Sequence, residues 1–233
     1  MKRINALAAL SLCVLLAACA GMSESHYYSL MPSAGPLEAH GSDSSEVKRA
    51  TGASQATPGY AISVDTVSVP EQVDRPQIVL TDPDSTQVTP LNAYLWASTL
   101  SEELRAALAD DLSRRLNVIE LPAKSVPASL GLWKVDMRVQ RFESLYGRHA
   151  VLEATWRLRP VNISGRQALL CQVQVVVPVG EGVSSLVHGH QEALAAMSGL
   201  IASAIEGKAI QAMNASPAAE SRAQVRVKGC ARG

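Results

Sequence analysis

Apolar and polar positions alternate with a period of two over three consecutive stretches in the middle of the chain. In the first, Trp133, Val135, Met137 and Val139 alternate with Lys134, Asp136, Arg138 and Gln140. In the second, Leu152, Ala154, Trp156 and Leu158 alternate with Glu153, Thr155, Arg157 and Arg159. In the third, Leu169, Cys171, Val173, Val175 and Val177 form the apolar side. Successive side chains of a strand point to opposite faces, so the pattern predicts an antiparallel meander with one buried face. Residues 143–149 and Asn162-Ile163-Ser164-Gly165 supply its turns. Upstream, Tyr60, Ile62 and Val64 alternate, the phase slips, and Val67 and Val69 resume it, which predicts a strand bulged at Asp65-Thr66. Pro70 ends that strand. Ile78-Val79-Leu80 is a short piece stopped by the turn Asp82-Pro83-Asp84. Tyr27-Tyr28-Ser29-Leu30 reads as a first strand.

Two stretches carry the helical period instead. Leu100, Leu104, Leu108, Leu112 and Leu116 share one face of a helix beginning near Thr99. Thr99 and Glu102 have the spacing of a capping box, and Asp110–Arg114 and Asp111–Arg115 are favourable i,i+4 pairs on the solvated face. A second helix, stripe Leu194, Met197, Ile201 and Ala204, is expected from about Leu186 to Ala212. The sum is a single α+β domain, a mainly antiparallel sheet with two helices packed on one face. Residues 31–59, rich in Ser, Ala, Gly, Pro and charge, keep no apolar period and read as a flexible insertion. Residues 213–233 read as a loose C-terminal tail.

The N-terminal residues change this picture. Lys2 and Arg3 precede an apolar run from Ala6 to Ala18, shorter than the roughly 20 residues a bilayer-spanning helix needs. Leu16-Ala17-Ala18-Cys19 resembles the bacterial lipobox. It implies a signal peptide over residues 1–18, lipid attachment at Cys19, and a short tether over 19–26. Ala20 after the cysteine, where Asp favours inner-membrane retention, points to the outer membrane. Two or more acyl chains hold a protein to a bilayer stably. The chain balances 21 basic against 21 acidic residues, and loss of Lys2 and Arg3 leaves 19 against 21. That charge argues against nucleic acid, which takes a basic surface. Of four cysteines, Cys13 leaves with the signal peptide and Cys19 is lipidated. Cys171 and Cys230 remain, either as a disulfide in an oxidising compartment or as one buried and one tail thiol.

Candidate chemistry is sparse. His188 and His190 diverge if helical, lack a third ligand nearby, and read as the exposed start of the second helix rather than a metal site. Asp82, Asp84 and Thr86 imitate a calcium loop, but Gln87 and Ala93 replace its glycine and closing glutamate. Glu102 and Glu103 are adjacent on the solvated helix face and are no catalytic pair. No nucleophile elbow, phosphate-binding loop or Cys-x-x-Cys occurs. The expectation is a protein that is not an enzyme and has no cofactor.

Several stretches together resemble the PqiC/YmbA family of ABC-type transport auxiliary lipoproteins. Tyr27-Tyr28-Ser29-Leu30 is similar to its Tyr-Tyr-x-Leu start. Val67-Ser68-Val69-Pro70, followed by Asp74-Arg75-Pro76-Gln77-Ile78-Val79, is the most specific match. Trp96-Ala97 with Leu100 is similar to the opening of its first helix, and His190 through Ala204 to its closing helix. The resemblance covers about residues 12–212, so the family domain is expected over 27–212. It implies an accessory subunit of intermembrane lipid transport, anchored in the outer membrane and facing the periplasm. The implied partners are an MCE-domain protein with its permease complex and further copies in a ring. The competing readings are a purely structural envelope lipoprotein and a hydrolase of envelope lipid or glycan. Asp74, Arg75 and Pro76 have two readings: a partner contact, or a structural turn in which Arg75 bridges Asp74 or a carbonyl and Pro76 stiffens the loop.

Overall fold

The computed structural model describes residues 24–32, 59–82, 84–210 and 223–233. Cys19, the signal segment and nearly all of the 31–59 insertion lie outside the described residues. The elements are β1 (His26–Tyr28), β2 (Tyr60–Val64), β3 (Gln77–Thr81), β4 (Val88–Trp96), α1 (Leu100–Leu116), β5 (Gly131–Leu145), β6 (His149–Val161), β7 (Leu169–Pro178), α2 (Val183–Ile205) and β8 (Gln224–Arg232). A single 3₁₀ turn, Ala123–Ser125, links α1 to β5.

The meander β5–β6–β7 forms as expected, and its register sets Met137 opposite Trp156 and Trp156 opposite Cys171. It is extended on both sides into a five-stranded sheet of order β2-β5-β6-β7-β8. β2 joins β5 in parallel, and beyond Val64 the chain stays beside β5, the Ser68 N–H donating to Met137 O at 3.2 Å. The phase slip at Asp65-Thr66 is thus a local departure from a pairing that then resumes.

Two expectations about the sheet need correction. The strands form two sheets, not one: β1, β4 and β3 make a separate three-stranded sheet in that order. And residues 223–233 are no loose tail. β8 pairs antiparallel along β7, because Val225 and Val227 alternate with Arg226 and Lys228 and so offer an apolar side to the core.

Both helices cover one face of the five-stranded sheet. The α1 leucines are all buried, four of them at 0 % exposure. The Asp110–Arg114 and Asp111–Arg115 pairs form at 2.9 and 2.8 Å. α2 starts at Val183 and stops at Ile205, short of the expected Ala212. Gly207, at φ +82°, takes the left-handed conformation that ends a helix most cheaply. Gly189 lets α2 rest directly on the sheet, since a Cβ there would lie 2.3 Å from Val179 Cγ1. One continuous core joins both sheets and both helices around Trp156 and Ile62, each 0 % exposed.

Candidate anchor-proximal site

The chain enters the fold at β1, an edge strand of three residues. So short a strand has little pairing of its own, and side chains fix it. β1 runs parallel to β4, with Tyr27 opposite Leu95 and Tyr28 opposite Trp96. The His26 ring stacks on Tyr94 at 5.2 Å. Ala97 N–H then donates to Tyr28 O at 2.7 Å, and Leu30 sinks into the core at 1 % exposure.

Glu103 in the first turn of α1 closes this entry. Its Oε2 accepts from Ser29 Oγ at 2.7 Å and from Leu30 N–H at 2.8 Å, and its Oε1 from Ser98 Oγ at 2.8 Å. From α2, Gln191 Nε2 donates to Ser29 O and Met31 O at 3.0 and 3.2 Å. Glu103 is therefore not on the solvated face: it is 5 % exposed. It lies three residues after Leu100 and four before Ala107, inside the wide buried face that a core-facing helix presents. A buried carboxylate persists only with such donors around it.

The Asp74-Arg75-Pro76 turn meets the same spot. Pro76 O accepts from Trp96 N–H at 2.7 Å, next to the bond from Ala97 to Tyr28. Asp74 Oδ1 accepts from Ser101 N–H at 3.3 Å, in the first turn of α1. The expected capping box does not form: Thr99 makes no side-chain cap bond, and Glu102 is held by Arg105 at 2.7 Å. The acceptor for an orphan N–H of the helix start thus comes from a residue 27 positions away, and its charge suits the positive end of the helix. The Arg75 side chain bridges neither Asp74 nor a carbonyl among the described residues, and its Nε is buried without a hydrogen-bond partner.

The remaining candidates separate. Cys171 and Cys230 stand opposite each other on β7 and β8 and are joined, with S–S 2.00 Å. His188 is exposed, its Nδ1 3.0 Å from Gln191 Oε1. His190, expected at an exposed helix start, is instead buried at 1 %, because α2 begins a full turn earlier and meets the sheet at Gly189. Its ring stacks on Phe142 at 3.9 Å, and its Nε2 lies 2.9 Å from Ser144 Oγ. That spacing suits a nucleophile and its base. However, Ser144 is also 1 % exposed, so substrate has no route to the hydroxyl. Burial lowers the His190 pKa to about 3, leaving a neutral imidazole. Among the described residues no cluster of three or more His, Cys, Asp or Glu could hold a metal, and no helix is long and apolar enough to cross a membrane. Asp82 is spent on its own turn, accepting from Asp84 N–H and Ser85 Oγ, bonds that hold its pKa below the usual value.

The model of a sequence family described as ABC-type transport auxiliary lipoprotein component matches residues 44–202. No curated protein matches the chain. A crystal structure of an uncharacterized protein superposes with a TM-score of 0.56 at 20 % identity, covering 78 % of this chain and 99 % of the other. A Xanthomonas campestris protein assigned to DUF330 gives a TM-score of 0.48 at 14 % identity, covering 61 % of this chain and 81 % of its own. The first of these shares the fold.

Proposed function

Because the chain belongs to the family of ABC-type transport auxiliary lipoprotein components, we propose that it is an outer-membrane-anchored, periplasm-facing lipoprotein and the accessory subunit of an MCE/ABC-type intermembrane lipid transport system. The observation that carries this reading is the seating of the anchor-proximal segment. Cys19 precedes His26 by seven residues, so the attached lipid and the fold are at most roughly 25 Å apart along an extended chain. From His26 to Met31 the entering chain is held at each step. β1, the buried Leu30 and the Glu103 carboxylate bind the entering chain to both helices and to the smaller sheet. Pull or torque on the anchor therefore passes directly to the whole domain. That is what an accessory subunit needs if it holds a partner at a set height above a membrane. The Asp74-Arg75-Pro76 turn sits beside this entry, and among the described residues the Arg75 side chain has no partner, so a partner contact there is the favoured reading of Arg75.

The test is a tagged pull-down after crosslinking in cells. The wild-type protein should return an MCE-domain protein and its permease. Arg75→Ala should keep normal abundance and lose most of that recovery. Recovery of no such partner by the wild type would overturn the transport reading.

A further inference from the structure

A second feature lies at the other end of the helices. α1 and α2 run the same way, Ala107 and Asp111 beside Gln191 and Ala195, so their C-terminal ends share one side of the domain. Ala204 is 13 residues beyond Gln191 on α2, about 20 Å along the helix from the anchor-proximal site. There a cleft of about 570 Å³ opens between the end of α2, the β6–β7 turn and the last residues of β8. Small-molecule sites run from about 300 to 1,000 Å³.

Its lining divides by chemistry. Trp133, Leu158 and Ile210 form an apolar floor, and Arg166, Lys208 and Arg232 bring three cations from three different elements. Lys208 is paired with Glu206 at 2.6 Å. Among the described residues Arg166 and Arg232 form no ion pair, and both line the cleft. The C-terminal end of α2 carries about half a negative charge, which accounts for one cation there and not for three. Arg166 lies across the end of the helix, its Nη1 2.6 Å from where a Cβ on Gly207 would stand. Arg232 is held by the neighbouring backbone bond from Gly233 N–H to Ala168 O at 3.1 Å, and the disulfide at Cys230 ties that wall to β7. Tyr60 stands near enough to feel Arg166 and Glu206. Burial first, then Glu206, raise its pKa from 10.0, against a lowering by Arg166, so its phenol stays a protonated donor.

We propose that this cleft binds an anionic amphiphile, its phosphate held by Arg166 and Arg232 and the first methylenes of its chain laid on Trp133, Leu158 and Ile210. Guanidinium forks match phosphate oxygens bidentately, and an apolar floor directly beneath a cationic rim suits a molecule that joins a phosphate to a hydrocarbon chain. The size admits a headgroup and the start of a chain rather than a whole diacyl lipid. This deepens the transport reading above by naming a ligand class. Its test uses the purified protein without partners, so the two can fail separately.

The experiment is native mass spectrometry of the full-length protein released from a neutral detergent. It is titrated with dihexanoyl phosphatidylglycerol, dihexanoyl phosphatidylcholine and glycerol 3-phosphate. One molecule of the phosphatidylglycerol should bind saturably, and the other two about tenfold more weakly or less, the first for want of net charge and the second for want of a chain. Arg166→Gln with Arg232→Gln should lower the affinity about tenfold or more. Ala204→Leu, which fills the floor without touching the cations, should abolish binding; the circular dichroism of both variants should match the wild type. Equal binding of phosphatidylcholine, equal binding of glycerol 3-phosphate, or unchanged binding in Ala204→Leu would each overturn the proposal. So would the absence of any saturable binding by the wild type.

Discussion

The buried imidazole of His190 makes the stability of the fold depend on pH from about 6.5 downward, beginning above the range in which ordinary carboxylates titrate. The ring is 1 % exposed, stacks on Phe142, and has Nδ1 buried with no partner, so a second proton would be placed in apolar surroundings. Its pKa falls from 6.5 to about 3 on folding. Between those values the unfolded chain holds a proton that the folded chain refuses. Stability therefore rises with pH through the window and is lost as pH falls from 6.5 toward 3. At about 1.4 kcal/mol per pKa unit, the full window is worth about 5 kcal/mol, and acidification from pH 7.5 to 5.0 removes about 2 kcal/mol of it. Asp82 and Glu102, whose pKa values are lowered by their hydrogen bonds from 3.8 and 4.5, lose their contributions only below those values and so leave the interval from pH 7.5 to 5.0 to His190. The assay is urea unfolding of the oxidised protein at pH 7.5 and 5.0, for the wild type and for His190→Gln. The amide can still reach Ser144, so the variant should be less stable at pH 7.5 for lack of the stacked ring, yet change by less than about 0.5 kcal/mol between the two pH values. An undiminished pH slope in the variant would falsify the assignment to His190. A flat wild-type profile would show that the ring is not closed to water.

Four further outcomes follow from the geometry. Trp156→Ala should cost about 3–5 kcal/mol, and Trp156→Phe much less, because the indole Nε1 is buried without an acceptor and its loss forfeits no hydrogen bond; chemical denaturation compares them. Glu103→Ala should cost about 2–3 kcal/mol and speed amide exchange at Leu30 while leaving β6 protected, as hydrogen exchange with mass spectrometry can resolve. A non-reduced digest should yield the Cys171 and Cys230 peptides as one linked species, and reduction should cost on the order of 4 kcal/mol for a loop of 59 residues. Cys19→Ala should leave a protein that takes up no radioactive palmitate and no longer fractionates with the outer membrane; labelled and membrane-bound variant protein would refute the lipid attachment.

What could be read from the sequence was whatever repeats locally. β5, β6 and β7 declare themselves by alternation over eight or nine residues, and α1 by leucines four apart. β4 does not, since Pro90 and Asn92 interrupt it and its burial follows no two-residue period; its partners β1 and β3 contribute only three and five residues. The alternation in Val225-Arg226-Val227-Lys228 was visible, but it is short and lies within a composition that otherwise reads as a tail. The site residues were hidden for another reason. Glu103 bonds Leu30 across 73 positions, and Asp74 caps α1 from 27 positions away. A local pattern assigns Glu103 to solvent because it sees only its charge, and it gives Asp74 no partner on the helix. His190 was misplaced by the same blindness: its burial depends on Gly189 letting α2 touch the sheet.

The stretches that carry the family resemblance gain a common physical meaning from this arrangement. Tyr27 to Leu30, Asp74 to Gln77 and Trp96 to Leu100 are scattered along the sequence, yet they exchange hydrogen bonds within two turns of the start of α1. Each supplies what the others lack. Pro76 has a carbonyl for the Trp96 N–H, Tyr28 has one for Ala97, and Asp74 has a carboxylate for a helix start whose own Thr99 makes no cap bond. They join the entering chain to the body of the domain. All three stretches converge where the entering chain meets the start of α1. With the entry clamped at the N-terminal ends of the helices, the basic cleft at their C-terminal ends is displaced from the tether by the length of α2 beyond Gln191, about 20 Å.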